Sequence, residues 1–355
     1  MKNTWLRNYV KNLVGVAVLA TVLAPLPLVV DESLSYVLGM AFLFVMLALS
    51  WDLVTGYTGV VNLGLTVFVG LGGYTSALLQ EASRLKDTEL AFISGVSGLP
   101  VYVTILIGGL VAAVIGLAVG TATLRLKGWY FALVTAILPL VFVQTTYVWK
   151  NIFGGEEGFV VHASIGSTVA EKYYAMLAML LVCLSCVLAL TTSRIGLRWK
   201  AIREDNVLAE ALGFSTTWYR VAAFVLSSFI AGVAGAATVH YRLVANNDLY
   251  DVPLLLLVIL AVVVGGPGTV WGPVAGGFLV YSIKNWWLKP LVYEHIWPTG
   301  VPLNDDMILY AALIALAIVR PHGIWGSLVK LPRAIPYRFN RGIIQTQPSL
   351  RGSGS

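Results

Sequence analysis

The chain has 355 residues and a formal net charge of +6; 58% of it is hydrophobic and only 11% is charged. Soluble domains carry about 25% charged residues, so a water-soluble fold and a disordered chain are both excluded. A disulfide scaffold is excluded by a count of two cysteines.

A bilayer core needs about 20 apolar residues per helix. Cutting the sequence at its charges and Pro/Gly clusters predicts ten segments, at approximately 13–30, 34–55, 60–79, 101–124, 129–149, 174–192, 219–239, 252–265, 270–288 and 304–319. The expected fold is all-α and polytopic, with eight to ten membrane spans in residues 1–320 and a tail over 321–355. Lys2, Arg7 and Lys11 precede the first segment in the manner of a signal peptide. No A-x-A-like site follows, and Pro25 and Pro27 break the run, so an uncleaved first helix is expected. The second segment contains Asp52, one turn before the Gly56-Tyr-Thr-Gly59 break. Two readings of Asp52 stay open: a structural carboxylate bonded to freed backbone amides, or a gating group in a hydrated vestibule. The third segment carries Asn62, Gly64, Gly70, Gly72 and Gly73, which predicts a broken or re-entrant helix lining a cavity. The eighth is short, and the tenth turns apolar only at Met307. Arg351-Gly-Ser-Gly-Ser355 is expected to be an added or flexible tail.

Lys and Arg accumulate in cytoplasmic loops. With ten spans and the N-terminus inside, one side collects 16 of the 23 basic residues and a charge of +13, against −6 on the other; Asp52 completes the total of +6. Both termini are therefore expected in the cytoplasm. The basic charge is spread over short loops, which argues against nucleic-acid binding.

Several chemistries are missing. No Gly-Lys dipeptide occurs, so a Walker A phosphate loop is absent. His162, His240, His295 and His322 are scattered without metal-ligand spacing and are expected in loops or interfaces. Cys183-Leu-Ser-Cys186 has redox spacing but lies mid-span, where packing is expected. A secondary carrier would embed several paired ionisable groups, and a membrane enzyme would converge His, Asp and Glu at one membrane face; neither pattern is present. Gly116/Gly120, Ser228/Gly232 and Gly272/Gly276 match the small-xxx-small spacing that lets helices approach closely in lipid.

The loop 193–217 is amphipathic. A short helix is predicted from Asn206 to Leu212, with Val207, Leu208, Ala211 and Leu212 on one face, Glu210 off it, and Gly213 at the left-handed position that ends it. Periodicity leaves two readings: a partner covers the apolar stripe, or Arg194, Arg198, Lys200 and Arg203 draw the helix onto the membrane surface.

Taken in order, six stretches resemble a known family. They are Ala48-Leu-Ser-Trp-Asp-Leu-Val-Thr-Gly-Tyr-Thr-Gly59, Phe68-Val-Gly-Leu-Gly-Gly-Tyr-Thr75, Leu126-Lys-Gly-Trp-Tyr-Phe-Ala-Leu-Val-Thr135, Ala201-Ile-Arg-Glu-Asp-Asn-Val-Leu-Ala-Glu-Ala-Leu-Gly213, Gly265-Gly-Pro-Gly-Thr-Val-Trp-Gly-Pro273 and Val319-Arg-Pro-His-Gly323. Over residues 41–326 the chain is similar to the permeases of branched-chain amino-acid ABC importers, of the LivM type. The resemblance implies an inner-membrane subunit without an ATPase site or cofactor of its own, ATP and Mg being bound by two LivG/LivF-like ATPase subunits. It also implies a LivH-like second permease and a soluble substrate-binding protein. Arg203, Glu204, Asp205, Ala209, Glu210, Ala211, Leu212 and Gly213 fall in the loop that it identifies as ATPase-coupling. Asp52, Gly72, Gly73, Tyr74, Trp129 and Tyr130 are placed on the translocation path by motif position. Three departures stand out: Asp52 where Asn is usual, Gly154-Gly-Glu-Glu-Gly158 in place of a Thr-Gly-Gly run, and His322 in place of an acidic residue. The second bears on substrate range or binding-protein docking. A urea-importer permease is the near alternative, and the Ala209-Glu-Ala-Leu-Gly213 pattern argues against it.

Overall fold

A computed structural model describes residues 2–125 apart from positions 87, 89, 90, 92–94, 96 and 97, then 129–289, and single positions at 307, 308, 310, 311, 314 and 315. The expected tenth span, 304–319, is described only at those single positions, and the tail 321–355 with its Pro321-His-Gly323 motif, His295 and the Leu126–Gly128 start of the third motif lie outside the described residues.

Among the described residues, nine helical elements answer the first nine predicted segments. They are α1 (Lys2–Leu23), α2 (Glu32–Thr58), α3 (Leu65–Gln80), α4 (Val101–Thr123), α5 (Trp129–Val148), α7 (Val169–Thr192), α10 (Thr216–Arg242), α11 (Val252–Gly265) and α12 (Trp271–Ser282). Short helices α6 (Lys150–Phe153), α8 (Arg194–Glu204) and α9 (Asn206–Ala211) stand between them. Five of these, α2, α4, α5, α7 and α10, are long and apolar enough to cross a membrane.

Local signals explain the differences in boundary. α1 ends at Leu23 rather than near 30, because Pro25 and Pro27 initiate a 3-10 turn over Leu26–Leu28. α7 begins at Val169, five residues before the predicted segment, because Thr168 and Glu171 form a reciprocal capping box. The third segment, 60–79, is interrupted at its start, around Asn62 and Gly64, and not at Gly70, Gly72 and Gly73. α3 is a continuous helix, and the interruption lies ahead of it in the 59–64 connection. Its glycines serve close packing instead. A Cβ on Gly72 would lie 2.1 Å from the Gly232 carbonyl oxygen of α10, a separation only a hydrogen side chain permits.

The same device joins α4 to α10. A Cβ on Gly116 would meet Ser228 Oγ at 2.4 Å and one on Gly232 would meet the Ala112 side chain at 2.5 Å, so two of the small-xxx-small patterns face each other. The α2–α10 contact is polar and reciprocal: Ser50 Oγ donates to the Ser227 carbonyl at 2.7 Å, and Ser227 Oγ donates to the Ser50 carbonyl at 2.8 Å. α2 is the central helix, buried continuously from Ala41 to Val54. It packs on α7, α10, α11 and α12. α5 lies at the edge of this group and contains Pro139, which deprives the Thr135 carbonyl of its helical donor. The 59–64 connection settles there, with the Leu63 N–H donating to Thr135 Oγ1 at 3.2 Å.

At the opposite end of the bundle β1 (Phe159–Val160) pairs antiparallel with β2 (Val244–Ala245), Phe159 facing Ala245. The Gly154–Gly158 departure forms the approach to this ribbon, and Gly154, Gly155 and Gly158 all have positive φ. Of the described histidines one lies in a loop and one where α10 meets α3. His162 is in a loop, its Nδ1 3.0 Å from Glu81 Oε1, but His240 is fully buried within α10. Its ring nitrogens face the Ala163 carbonyl at 2.7 Å and Ser76 Oγ at 2.8 Å, so the bundle satisfies it internally. Cys183 and Cys186 are unbridged on α7.

Candidate functional site

The predicted amphipathic helix is present as α9. Asp205 caps it, its Oδ1 accepting from the Leu208 N–H at 2.9 Å. At its other end Gly213 has φ of +83°. The Gly213 N–H donates to the Glu210 carbonyl at 2.9 Å and the Phe214 N–H to the Ala209 carbonyl at 3.1 Å. This pair of bonds is a Schellman closure, which requires a left-handed residue after the helix. Ala209 is buried against the body, whereas Val207, Leu208 and Leu212 are 75%, 57% and 67% exposed. The stripe therefore faces away from the chain.

Glu210 occupies a different place from the stripe, as its spacing implies. Its Oε1 accepts from Asn206 Nδ2 at 3.1 Å and from Thr216 Oγ1 at 2.7 Å. The carboxylate thus ties α9 to the start of α10. Glu204 and Ala211 are exposed, and Asp205 is spent on the cap.

α8, which the residue pattern did not single out as a helix, anchors the loop. Ser193 caps it, accepting from the Ile195 N–H at 3.1 Å. Trp199 is fully buried and its Nε1–H donates to the Tyr219 carbonyl of α10 at 2.8 Å. On the neighbouring face Lys200 Nζ sits 5.3 Å from the Tyr57 ring centroid. Arg203 Nη1 donates to the Gly56 carbonyl near the end of α2. Burial, and then the Arg203 charge beside it, push the Lys200 ammonium below the ordinary lysine range, with the Asp52 charge acting in the opposite sense.

Asp52 completes this arrangement from inside. Its Oδ1 accepts from the Gly268 N–H, in the connection between α11 and α12, at 2.7 Å. Gly56 leaves room for that bond, since a Cβ there would overlap the carboxylate at 1.8 Å. Of the two readings of Asp52, the bond to a freed backbone amide is the one this geometry contains. Arg203 also lies against Gly268. One knot therefore joins three things: the α8–α9 loop, the end of α2 and the α11–α12 connection. Nothing in the spacing of Asp52, Arg203 and Gly268, more than 60 residues apart at the closest, signals this meeting.

The other path residues are not brought to one surface. Gly72 and Gly73 are buried at helix contacts, and Tyr74 is buried with its ring stacked on Tyr250 at 5.7 Å. Trp129 and Tyr130 project from the start of α5 and are 82% and 70% exposed. Among the described residues no group of three or more His, Cys, Asp or Glu side chains is placed to hold a metal ion.

A family model described as "Branched-chain amino acid transport system / permease component" matches residues 33–317. Among curated proteins, the high-affinity branched-chain amino acid transport system permease protein LivM of Salmonella typhimurium is 25% identical over 283 residues, covering 72% of this chain and 63% of the relative. LivM of Escherichia coli is 24% identical over the same shares. LivH of Salmonella typhimurium is 22% identical over 300 residues, covering 80% of this chain and 91% of the relative. The chain thus spans less than two thirds of the length of the LivM relatives it matches. No solved structure matches it.

Proposed function

The chain belongs to the family of branched-chain amino acid transport system permease components, and from that premise we propose that it is the membrane-spanning permease subunit of an ABC importer for branched-chain or related hydrophobic amino acids. The observation that carries this reading is the α8–α9 loop. An exposed apolar stripe on a rigidly capped helix needs a cover, and this one is bonded to the central transmembrane helix. Docking of this loop on one of two ATPase subunits supplies the cover and explains the bonds. A membrane-surface helix would need the stripe in lipid but would have no use for Arg203 on Gly56.

The remaining assignments follow from membership and charge. Ten spans place both termini, the loop 193–217 and the tail 321–355 in the cytoplasm, in accord with the +13/−6 division. The second permease is a LivH-like homologue, and a soluble binding protein delivers the amino acid on the outer face of the plasma membrane. ATP and Mg belong to the LivG/LivF-like ATPases, and this chain makes or breaks no bond. ATP binding and hydrolysis shift an inward/outward equilibrium only as far as the loop contacts the two ATPase states differently.

Purification of the tagged chain from its own membrane tests the reading. We expect a second permease and two ATPases to accompany it, with ATPase activity that the chain alone lacks. Recovery of the chain alone, fully active in amino-acid uptake after reconstitution, would assign it to secondary carriers instead.

A further inference from the structure

We propose that a cleft of about 520 Å³ between α2, α10, α11 and the end of α12 is this subunit's transit site for a zwitterionic amino acid with an aliphatic side chain; the inference rests on the permease reading above. The floor is aliphatic and contributed by three helices: Leu43 and Leu47 of α2, Val69 of α3 and Leu257 of α11, all buried. The rim carries both signs of charge, with Arg242 closing α10, Asp248 and Asp251 preceding α11, and Lys284 and Lys289 after α12. A ligand that is apolar at one end and doubly charged at the other matches both zones. An inorganic ion leaves the floor unused, and a fatty acid meets carboxylates as well as cations at the rim.

The backbone departs from regular geometry on two sides of the same rim. α12 passes into a π-helical segment over Ile283–Leu288, which carries Lys284 and Asn285. Such segments concentrate at functional sites because they re-aim side chains within a helix. Leu243, next to Arg242, has φ of +62° and is the only non-glycine among the described residues with a positive φ; backbone held in that region needs support from its surroundings. Arg242 and the two carboxylates also act on one another at this rim. Arg242 Nη2 lies 3.3 Å from Asp248 Oδ2, which accepts from Asn246 Nδ2 at 2.9 Å as well. Burial, and then the Asp248 charge, push the Asp251 carboxyl above the ordinary range. An ammonium arriving there relieves that repulsion, and the ligand carboxylate falls to Arg242 and Lys284. Gly72, Gly73, Tyr74, Trp129 and Tyr130 do not line this cleft.

The test uses the assembled transporter in membranes. Leu254→Trp fills the cleft from its half-buried wall; leucine uptake should fall by about tenfold or more, the scale of a lost pocket fit, with abundance and ATPase retention unchanged. A second variant protects the inference from a folding defect. Met40→Cys, in a Cys183→Ala/Cys186→Ala background, should react with a hydrophilic thiol reagent from outside. Millimolar leucine should slow that reaction, while 3-methylbutylamine and 4-methylpentanoate, which lack one charge each, should not. Uptake by the wild type together with labelling indifferent to leucine, or slowed equally by the singly charged analogues, would overturn the cleft assignment alone. A wild-type assembly that carries no amino acid would overturn the permease reading, and the cleft assignment with it.

Discussion

Gly213→Val is expected to remove most substrate uptake, and Gly213→Asn to leave most of it. The two variants separate backbone geometry from bulk, because a Cβ at Gly213 meets nothing within 4 Å. Only the left-handed φ of +83° is at stake. A non-glycine residue in that region costs about 1–2 kcal/mol, a β-branched one more, while Asn tolerates it. Val therefore opens the Schellman closure, frays α9 and turns Leu212 away from the stripe. The bundle itself is unaffected, since the position lies outside every long apolar helix. Uptake should fall by about tenfold or more, each 1.4 kcal/mol being a factor of ten. Membrane abundance and ATPase retention on purification are the companion measurements: abundance stays normal and retention falls. Glu210→Lys should act in the same direction by detaching α9 from Thr216 at the start of α10 and losing the Asn206 bond within α9, and Glu210→Gln, which keeps an accepting oxygen, should be milder. Normal uptake in Gly213→Val at normal abundance would remove the coupling role from the loop.

Asp52→Leu is expected to be as damaging, for a different reason. It leaves the Gly268 N–H without its acceptor and removes the carboxyl group beside Arg203 and Lys200. An abandoned buried donor costs about 1–3 kcal/mol, and the loss falls on the joint between α2, the loop and the α11–α12 connection. Uptake should fall while the ATPases stay bound, because the stripe on α9 is intact. Asp52→Asn retains an oxygen for Gly268 and should transport at close to the wild-type rate. Asn failing as badly as Leu would mean that the charge, rather than the hydrogen bond, holds the joint.

These two expectations draw on different amounts of sequence information. The start near Asn206, the stop at Gly213 and the face of α9 were legible because each depends on residues within one or two turns. The capping box at Thr168 and Glu171 was legible in the same sense, but an apolar run counted from Tyr174 passes over it. The glycines of α3 were misleading, since glycine in a membrane helix signals either a break or a close approach, and the neighbour that decides, Gly232, lies 160 residues away in the chain. The bond from Gly268 to Asp52 spans 216 residues and has no local signature at all. The cleft is harder still, because five segments contribute to its wall and the charged rim comes from three of them.

A photo-reactive residue placed at Leu212, and separately at Leu208, tests the central claim most directly. Irradiation of intact membranes should join both positions to an ATPase subunit, and the same probe at Val114, on the exposed face of α4, should give lipid adducts only. Lipid adducts from all three positions would contradict the account and return the α8–α9 loop to the membrane surface.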